Sequence, residues 1–136
     1  MKRKRLLDSF ALLAYLNKDH GFKMVHEALA SAQAVGDLLL MNEINVGEAY
    51  YILERRRGRD KAEYFLDTTL PALPINTVAN TFDDIIAAAR IKAEYPIAFT
   101  DCFAVATAQS RSAVIVTGDP EFKKVEHLVD IEWLDG

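Results

Sequence analysis

Cysteine is almost absent. Cys102 is the only one in 136 residues, which excludes an intramolecular disulfide and a cysteine-built zinc site and fits a reducing, cytoplasmic setting. His20, His26 and His127 share no ligand spacing, so surface and cap roles fit them better than metal binding. No stretch approaches the roughly 18 uncharged apolar residues that a membrane-crossing helix requires. The opening Met-Lys-Arg-Lys-Arg resembles the start of an export signal, but Asp8 interrupts the apolar segment behind it and Asn17, Lys18 and Asp19 close it, so no export is expected. Positive charge is not in excess either. A net charge of −4 and a pI near 5.3 argue against a chain that coats nucleic acid by bulk attraction. Neither a P-loop nor a G-x-G-x-x-G turn is present, which removes the commonest nucleotide cradles. Internal repeats and low-complexity segments are lacking too.

What is present is ordinary globular usage, 51% hydrophobic and 26% charged, at a length suited to one domain over residues 1–136. Short apolar runs alternate with segments of helical period, the pattern of an α/β protein with a parallel sheet. Strands are expected over 4–7, 38–41, 72–75, 114–117 and 131–133. Helices are expected over 9–16 and 22–34, from a cap at Asn45 to about Arg57, from 60 to a stop at Pro71, over 77–94, and over 100–111. Phe82, Ile85, Ile86 and Ala89 form the apolar stripe of the long 77–94 helix, and Pro96 separates it from the next.

Four carboxylates occupy telling positions. Strands of a parallel sheet point one way, so residues just past their C-terminal ends share an edge, where ligands of such folds sit. Asp8 follows the first strand, Asp119 lies two residues past the strand over 114–117, and Glu48 and Asp101 fall in first helical turns. Each has an ordinary explanation: Asp8 and Asp119 as N-caps, Glu48 in a capping box with Asn45, Asp101 against a helix dipole. Together they form an acidic cluster with no evident lysine or arginine inside it. Two like charges about 4 Å apart repel by about 4 kcal/mol at an effective dielectric near 20, which a divalent cation would offset. Oxygen donors without His or Cys favour Mg²⁺ or Mn²⁺ over Zn²⁺, and the matching chemistry is phosphodiester hydrolysis. An acidic total charge is compatible with this, since only a local basic surface is needed beside the carboxylates.

Four segments carry a resemblance to the PIN-domain nucleases, in particular the VapC-like toxins of toxin–antitoxin pairs. They are Leu-Leu-Asp8-Ser9-Phe-Ala-Leu-Leu, Asn45-Val-Gly-Glu48-Ala-Tyr-Tyr, Thr100-Asp101-Cys-Phe-Ala-Val-Ala-Thr-Ala and Val-Ile-Val-Thr117-Gly-Asp119-Pro-Glu-Phe122. Their order and spacing agree over nearly the whole chain, and the final Thr-Gly-Asp-Pro-x-Phe is the most specific. The resemblance implies a three-layer α/β/α sandwich with a central parallel sheet. It implies a catalytic metal site of Asp8, Glu48, Asp101 and Asp119 that binds Mg²⁺ or Mn²⁺, with Ser9 and Thr117 as supporting polar groups. It further implies endoribonuclease activity on RNA, a homodimer, and inhibition by a cognate antitoxin.

Other features carry less. Arg55, Arg56, Arg57 and Arg59 form the densest basic cluster, yet cations at a helix end complement its dipole without any RNA. Lys2 to Arg5 and Lys123 with Lys124 have the same two readings, and Cys102 is best read as a small buried hydrophobe. Tyr50 and Tyr51 fit a dimer contact, a base stack or simple core. A phosphoacceptor signalling domain fits poorly, because Asp8 stands alone after the first strand and Gly118-Asp119 occupies the late turn. The closer rival is a non-catalytic PIN-like module that binds RNA or protein.

Overall fold

The structure, a computed structural model, describes residues 3–134. Five short strands, β1 (Arg5–Leu7), β2 (Leu39–Asn42), β3 (Ile75–Val78), β4 (Val114–Thr117) and β5 (Ile131–Trp133), form one sheet in the order β3-β2-β1-β4-β5. Every pairing is parallel. Parallel neighbours need crossover connections. These are supplied by α1 (Ser9–Asn17) and α2 (Phe22–Val35), by α3 (Glu43–Arg57), α4 (Arg59–Tyr64) and α5 (Leu70–Ala72), and by α6 (Phe82–Glu94) and α7 (Phe99–Arg111). A 3₁₀ turn over Pro120–Val125 leads from β4 toward β5.

Side chains alternate across a strand, and here both faces are buried. Leu6, Leu40 and Ile115 point to one side, into a core with Ala88, Ile91, Phe103, Val105 and Phe122 from α6, α7 and the 3₁₀ turn. Leu7, Leu39 and Val116 point to the other, against Ala11, Val25, Leu29 and Ala32 of α1 and α2. Met41 continues that face under α3 and α4, with Leu12, Val46, Leu53 and Phe65. The result is the expected three-layer α/β/α sandwich. Gly36, at φ 69°, supplies the left-handed residue that ends α2.

Several expected boundaries move. Asn45 does not cap α3. Asn42 does, its Oδ1 accepting from the Ile44 N–H at 2.8 Å, so Asn45 lies inside the helix and Glu48 in its second turn. The helix expected from 60 to Pro71 is α4 followed by a π-helical turn over Phe65–Thr69 and by α5, in which Pro71 falls. The strand placed at 72–75 is instead Ile75–Val78, which takes Thr77 and Val78 away from the next helix. That helix begins at Phe82, behind a Thr81–Asp84 capping box. Phe82 and Ile85 do not face the core, being 75% and 38% exposed, and Ala88 and Ile91 do the packing.

The basic start of the chain is neutralised at the N-terminal ends of the strands. Arg3 pairs with Asp130, Lys4 with Asp37, and Arg5 with Glu132 at 3.0 Å. Lys2 lies outside the described residues. These cations therefore sit at the opposite end of β1 from Asp8.

Candidate functional site

β1 lies between β2 and β4, so the chain leaves β1 toward one half of the sheet and returns in β4 on the other. This is a topological switch point, and the C-terminal ends of β1 and β4 open a crevice there. Asp8 is the residue after β1. Its extended backbone makes it the N-cap of α1, with Oδ1 accepting from the Ala11 N–H at 2.8 Å. Its Oδ2 accepts from the Thr117 hydroxyl at the end of β4. The same Thr117 Oγ1 accepts from the Asp119 N–H at 3.1 Å, and Asp119 Oδ1 caps the 3₁₀ turn through the Glu121 N–H at 3.0 Å. The strand ends thus hold Asp8 and Asp119 through one buried hydroxyl.

Glu48 reaches the same place from α3. Ser9 Oγ donates to its Oε1 at 2.6 Å and Thr100 Oγ1 to its Oε2 at 3.0 Å, so the starts of α1 and α7 grip both carboxylate oxygens. Asp101, in the first turn of α7, is buried, and no side-chain hydrogen bond holds it among the described residues. Burial pushes the Asp8 carboxyl up to about 8 against the lowering effect of the Thr117 and Ala11 bonds, with the Asp101 and Asp119 charges adding to the rise. Burial also pushes Asp101 up to about 7, followed by the charges of Asp119, Glu48 and Glu121. The structure therefore brings Asp101 within electrostatic reach of Asp8, Glu48 and Asp119, and Asp8 within that of Asp119, with Ser9 and Thr117 bound to two of the four.

The donor set consists of carboxylate and hydroxyl oxygens, the chemistry of a hard divalent cation such as Mg²⁺ or Mn²⁺. Two acids raised by burial, and further by the charges of their acidic neighbours, fit such an ion, which would relieve that repulsion. As placed, no three His, Cys, Asp or Glu side chains among the described residues close around one point tightly enough to hold an ion. Three of the four carboxylates are instead engaged by hydroxyl or backbone donors.

Three supporting features escaped the sequence. Thr100 belongs to a recognisable Thr-Asp pair, yet nothing in the pattern pairs it with Glu48. Asn45 is fully buried inside α3, donating to the Thr100 carbonyl at 3.0 Å, and its Oδ1 has no partner. Asn42 and Asn80 exchange amide hydrogen bonds at 2.8 and 3.0 Å, and Asn42 also donates to Thr107 Oγ1 at 2.8 Å. This joins the start of α3 to the middle of α7.

The other cations are mostly committed. Arg55 lies over the Tyr51 ring at 5.3 Å, Arg57 donates to Asn17 at 3.1 Å, and Arg59 pairs with Glu54 at 2.6 Å. Lys124 pairs with Glu121 at 2.7 Å. Tyr50 donates to Glu63 at 2.9 Å, and His127 meets the Tyr95 hydroxyl at 3.0 Å. Cys102 is buried.

Fold and cluster together define a small parallel α/β/α protein with an acidic cluster at its switch point. The PIN domain family matches residues 5–128, and the chain belongs to that family. Among solved structures it is similar to a chain of the Rickettsia felis VapBC2 complex bound to a DNA fragment from its promoter, with a TM-score of 0.76 at 16% identity, covering 96% of this chain and 98% of that one. It is also similar to a chain of DNA-bound VapBC from Salmonella typhimurium, with a TM-score of 0.73, 19% identity and coverages of 96% and 98%. A third likeness is to VapC20 from Mycobacterium tuberculosis, described as a sarcin-ricin loop cleaving toxin, with a TM-score of 0.68, 15% identity and coverages of 90% and 95%. No curated protein matches the sequence.

Proposed function

We propose that this chain is a cytoplasmic, divalent-metal-dependent endoribonuclease, a single PIN nuclease domain acting as the toxin of a toxin–antitoxin pair. The observation that carries the reading is the meeting of Asp8, Glu48, Asp101 and Asp119, with Asp8 and Asp101 raised to about 8 and about 7. These four residues would hold Mg²⁺ or Mn²⁺. When bound, such an ion stabilises charge on phosphate oxygens and makes a water more acidic. Ser9 and Thr100 fix the direction of the Glu48 carboxylate, and Thr117 does the same for Asp8. Among the described residues, Asp101 alone of the four has no side-chain hydrogen bond to surrender before its oxygens meet a new partner. RNA is the proposed substrate, with phosphodiester hydrolysis as the reaction. A homodimer and a cognate antitoxin are the proposed assemblies, the antitoxin supported by likeness to chains solved within VapBC and FitAB complexes.

One observation favours a second reading, a non-catalytic RNA- or protein-binding module. The carboxylates are turned onto hydroxyl and amide donors rather than drawn together around one point. A cleavage assay decides between the two. Purified protein and Asp101→Asn are each given a mixed RNA pool with Mg²⁺, Mn²⁺ or EDTA. Cleavage by the unaltered protein alone, and only with metal, is expected. No cleavage by folded protein in any condition, together with no binding in a Mn²⁺ titration, leaves the module reading standing.

A further inference from the structure

We propose that Phe10 is a base-stacking residue of this site, gripping an unpaired nucleobase next to the scissile phosphate of single-stranded RNA. The inference rests on the nuclease reading and adds to it a residue that contacts the substrate and the kind of contact it makes.

Phe10 is the second residue of α1. It stands between Ser9, whose hydroxyl holds Glu48, and Ala11, whose N–H holds Asp8. Its neighbours Ser9 and Ala11 to Ala14 are buried, whereas Phe10 is 37% exposed, the one apolar side chain in this stretch left open to solvent. The ring rests on the turn that joins Thr117 to Asp119. A Cβ added at Gly118 would lie 2.5 Å from Phe10 Cε1 and 3.0 Å from Cζ, so only glycine leaves room for the ring there. Gly118 has no positive φ that would otherwise demand glycine. The phenyl group is thus seated on backbone, with Thr117, which bonds Asp8, at one end of its seat and Asp119 at the other.

A phenyl ring has no polar atom to offer a phosphate or sugar. What it offers is a flat apolar face, and proteins that take single-stranded nucleic acid stack successive bases on such faces beside the path of the backbone. A base inside a duplex keeps its faces covered by its neighbours. The arrangement therefore selects RNA whose base at the cut is free to leave the stack. A ring held by backbone contact is already in place before binding, so little ordering cost falls on the encounter.

The test uses the full chain and short RNAs of random sequence, offered single-stranded and as duplexes with their complements, with Mn²⁺. Once products identify the cut, the cleaved sequence is made intact and with a base-free ribose on each side of the cut. Phe10→Leu keeps the apolar cover of the turn but not the stack. It is expected to raise KM roughly tenfold with kcat and melting temperature kept, as is Phe10→Ala, whereas Phe10→Tyr retains the unaltered KM. Gly118→Ala, which must push the ring off its seat, raises KM in the same direction. Removing one flanking base should weaken the unaltered protein by a similar factor and leave Phe10→Leu no weaker than before, because both changes delete the same contact. An unchanged KM in Phe10→Leu overturns the proposal while leaving the nuclease reading intact. Base removal that weakens Phe10→Leu as much as the unaltered protein, or cleavage confined to duplex RNA, overturns it too. No cleavage by the unaltered protein sinks both.

Discussion

The Thr117 hydroxyl ties Asp8 to Asp119, donating to Asp8 Oδ2 while accepting from the Asp119 N–H. Thr117 is fully buried and Asp8 is 1% exposed, so the Asp8 oxygen cannot turn to water if the hydroxyl is removed. Thr117→Val keeps the shape and deletes both bonds. It should destabilise the protein by about 1–3 kcal/mol, the cost of stranding buried polar groups, and Thr117→Ser should recover most of that. Urea unfolding of the three proteins checks it, and a Val variant as stable as the original would remove the hydroxyl from the account.

The raised acids give the metal-free protein an unusual pH dependence. Below the ordinary Asp8 value of 3.8 the carboxyl is protonated whether the chain is folded or not, and no penalty exists. As pH climbs from there to about 8, the unfolded chain releases the proton and the folded one retains it, so stability falls through that window and stays lower above it. Asp101 acts in the same sense up to about 7. Metal-free protein should therefore be more stable to urea in mildly acidic than in mildly alkaline buffer, and Asp8→Asn should flatten the slope. Added Mg²⁺ or Mn²⁺ should stabilise more as pH rises, because the ion needs these groups deprotonated. A metal-free stability that climbs across the same window would contradict the assignment of Asp8 as a buried, raised acid.

How far the sequence could be read depends on the kind of signal each element carries. β1, β4 and β5 were legible because β-branched and leucine runs ended at an acid or a turn, and those ends positioned Asp8 and Asp119. α3 was misread at its start because Asn45-x-x-Glu48 imitates a capping box, while the true cap, Asn42, is also the last residue of β2. β3 was displaced because Thr77 and Val78 fit helix and strand alike. Only pairing with β2 decides them, although Thr81-x-x-Asp84 was a cap signal in plain view. The stripe of Phe82 and Ile85 misled for a different reason. Amphipathic period shows that a face is apolar, not that the sheet lies under it, and α6 meets the sheet through Ala88 and Ile91. The hydroxyl and amide bonds to Glu48 and Asn42 span dozens of residues in sequence, which no local pattern can report.

Glu48 is held by two hydroxyls from different helices, so its orientation should degrade in steps. Ser9→Ala removes the 2.6 Å bond to Oε1, and Thr100→Val removes the 3.0 Å bond to Oε2. Partners that orient a ligand typically contribute 10- to 100-fold to metal affinity or activity, and each variant should lose about that much. The loss should appear in the Mn²⁺ concentration needed for half-maximal cleavage, with thermal unfolding little changed. If both single variants and the double variant titrate like the unaltered protein, the hydroxyls are not what aims Glu48.

Asn42 is the most heavily engaged side chain near the site, and its replacement separates capping from bridging. Its Oδ1 accepts from the Ile44 and Asn80 amides, and its Nδ2 donates to Asn80 and Thr107. Thr107 already spends its own proton on the Phe103 carbonyl at 2.7 Å, so it can only accept from Asn42. Asn42→Asp would keep the cap but set a buried carboxylate against two acceptors. The expected cost is on the order of 3 kcal/mol at neutral pH, shrinking in acid as the new carboxyl regains a proton to donate. Asn80→Ala leaves both the cap and the Thr107 bond in place and should cost about 1 kcal/mol. Because the Asn42–Thr107 bond sets the start of α3 against α7, Asn42→Asp should also weaken cleavage, since Glu48 rides on one helix and Asp101 on the other, while Asn80→Ala should leave cleavage nearly unchanged. Urea unfolding at neutral and acidic pH, run beside the cleavage assay, measures all of this. Equal costs for the two variants at neutral pH would show that the amide exchange with Asn80, not the bond donated to Thr107, supplies the stability.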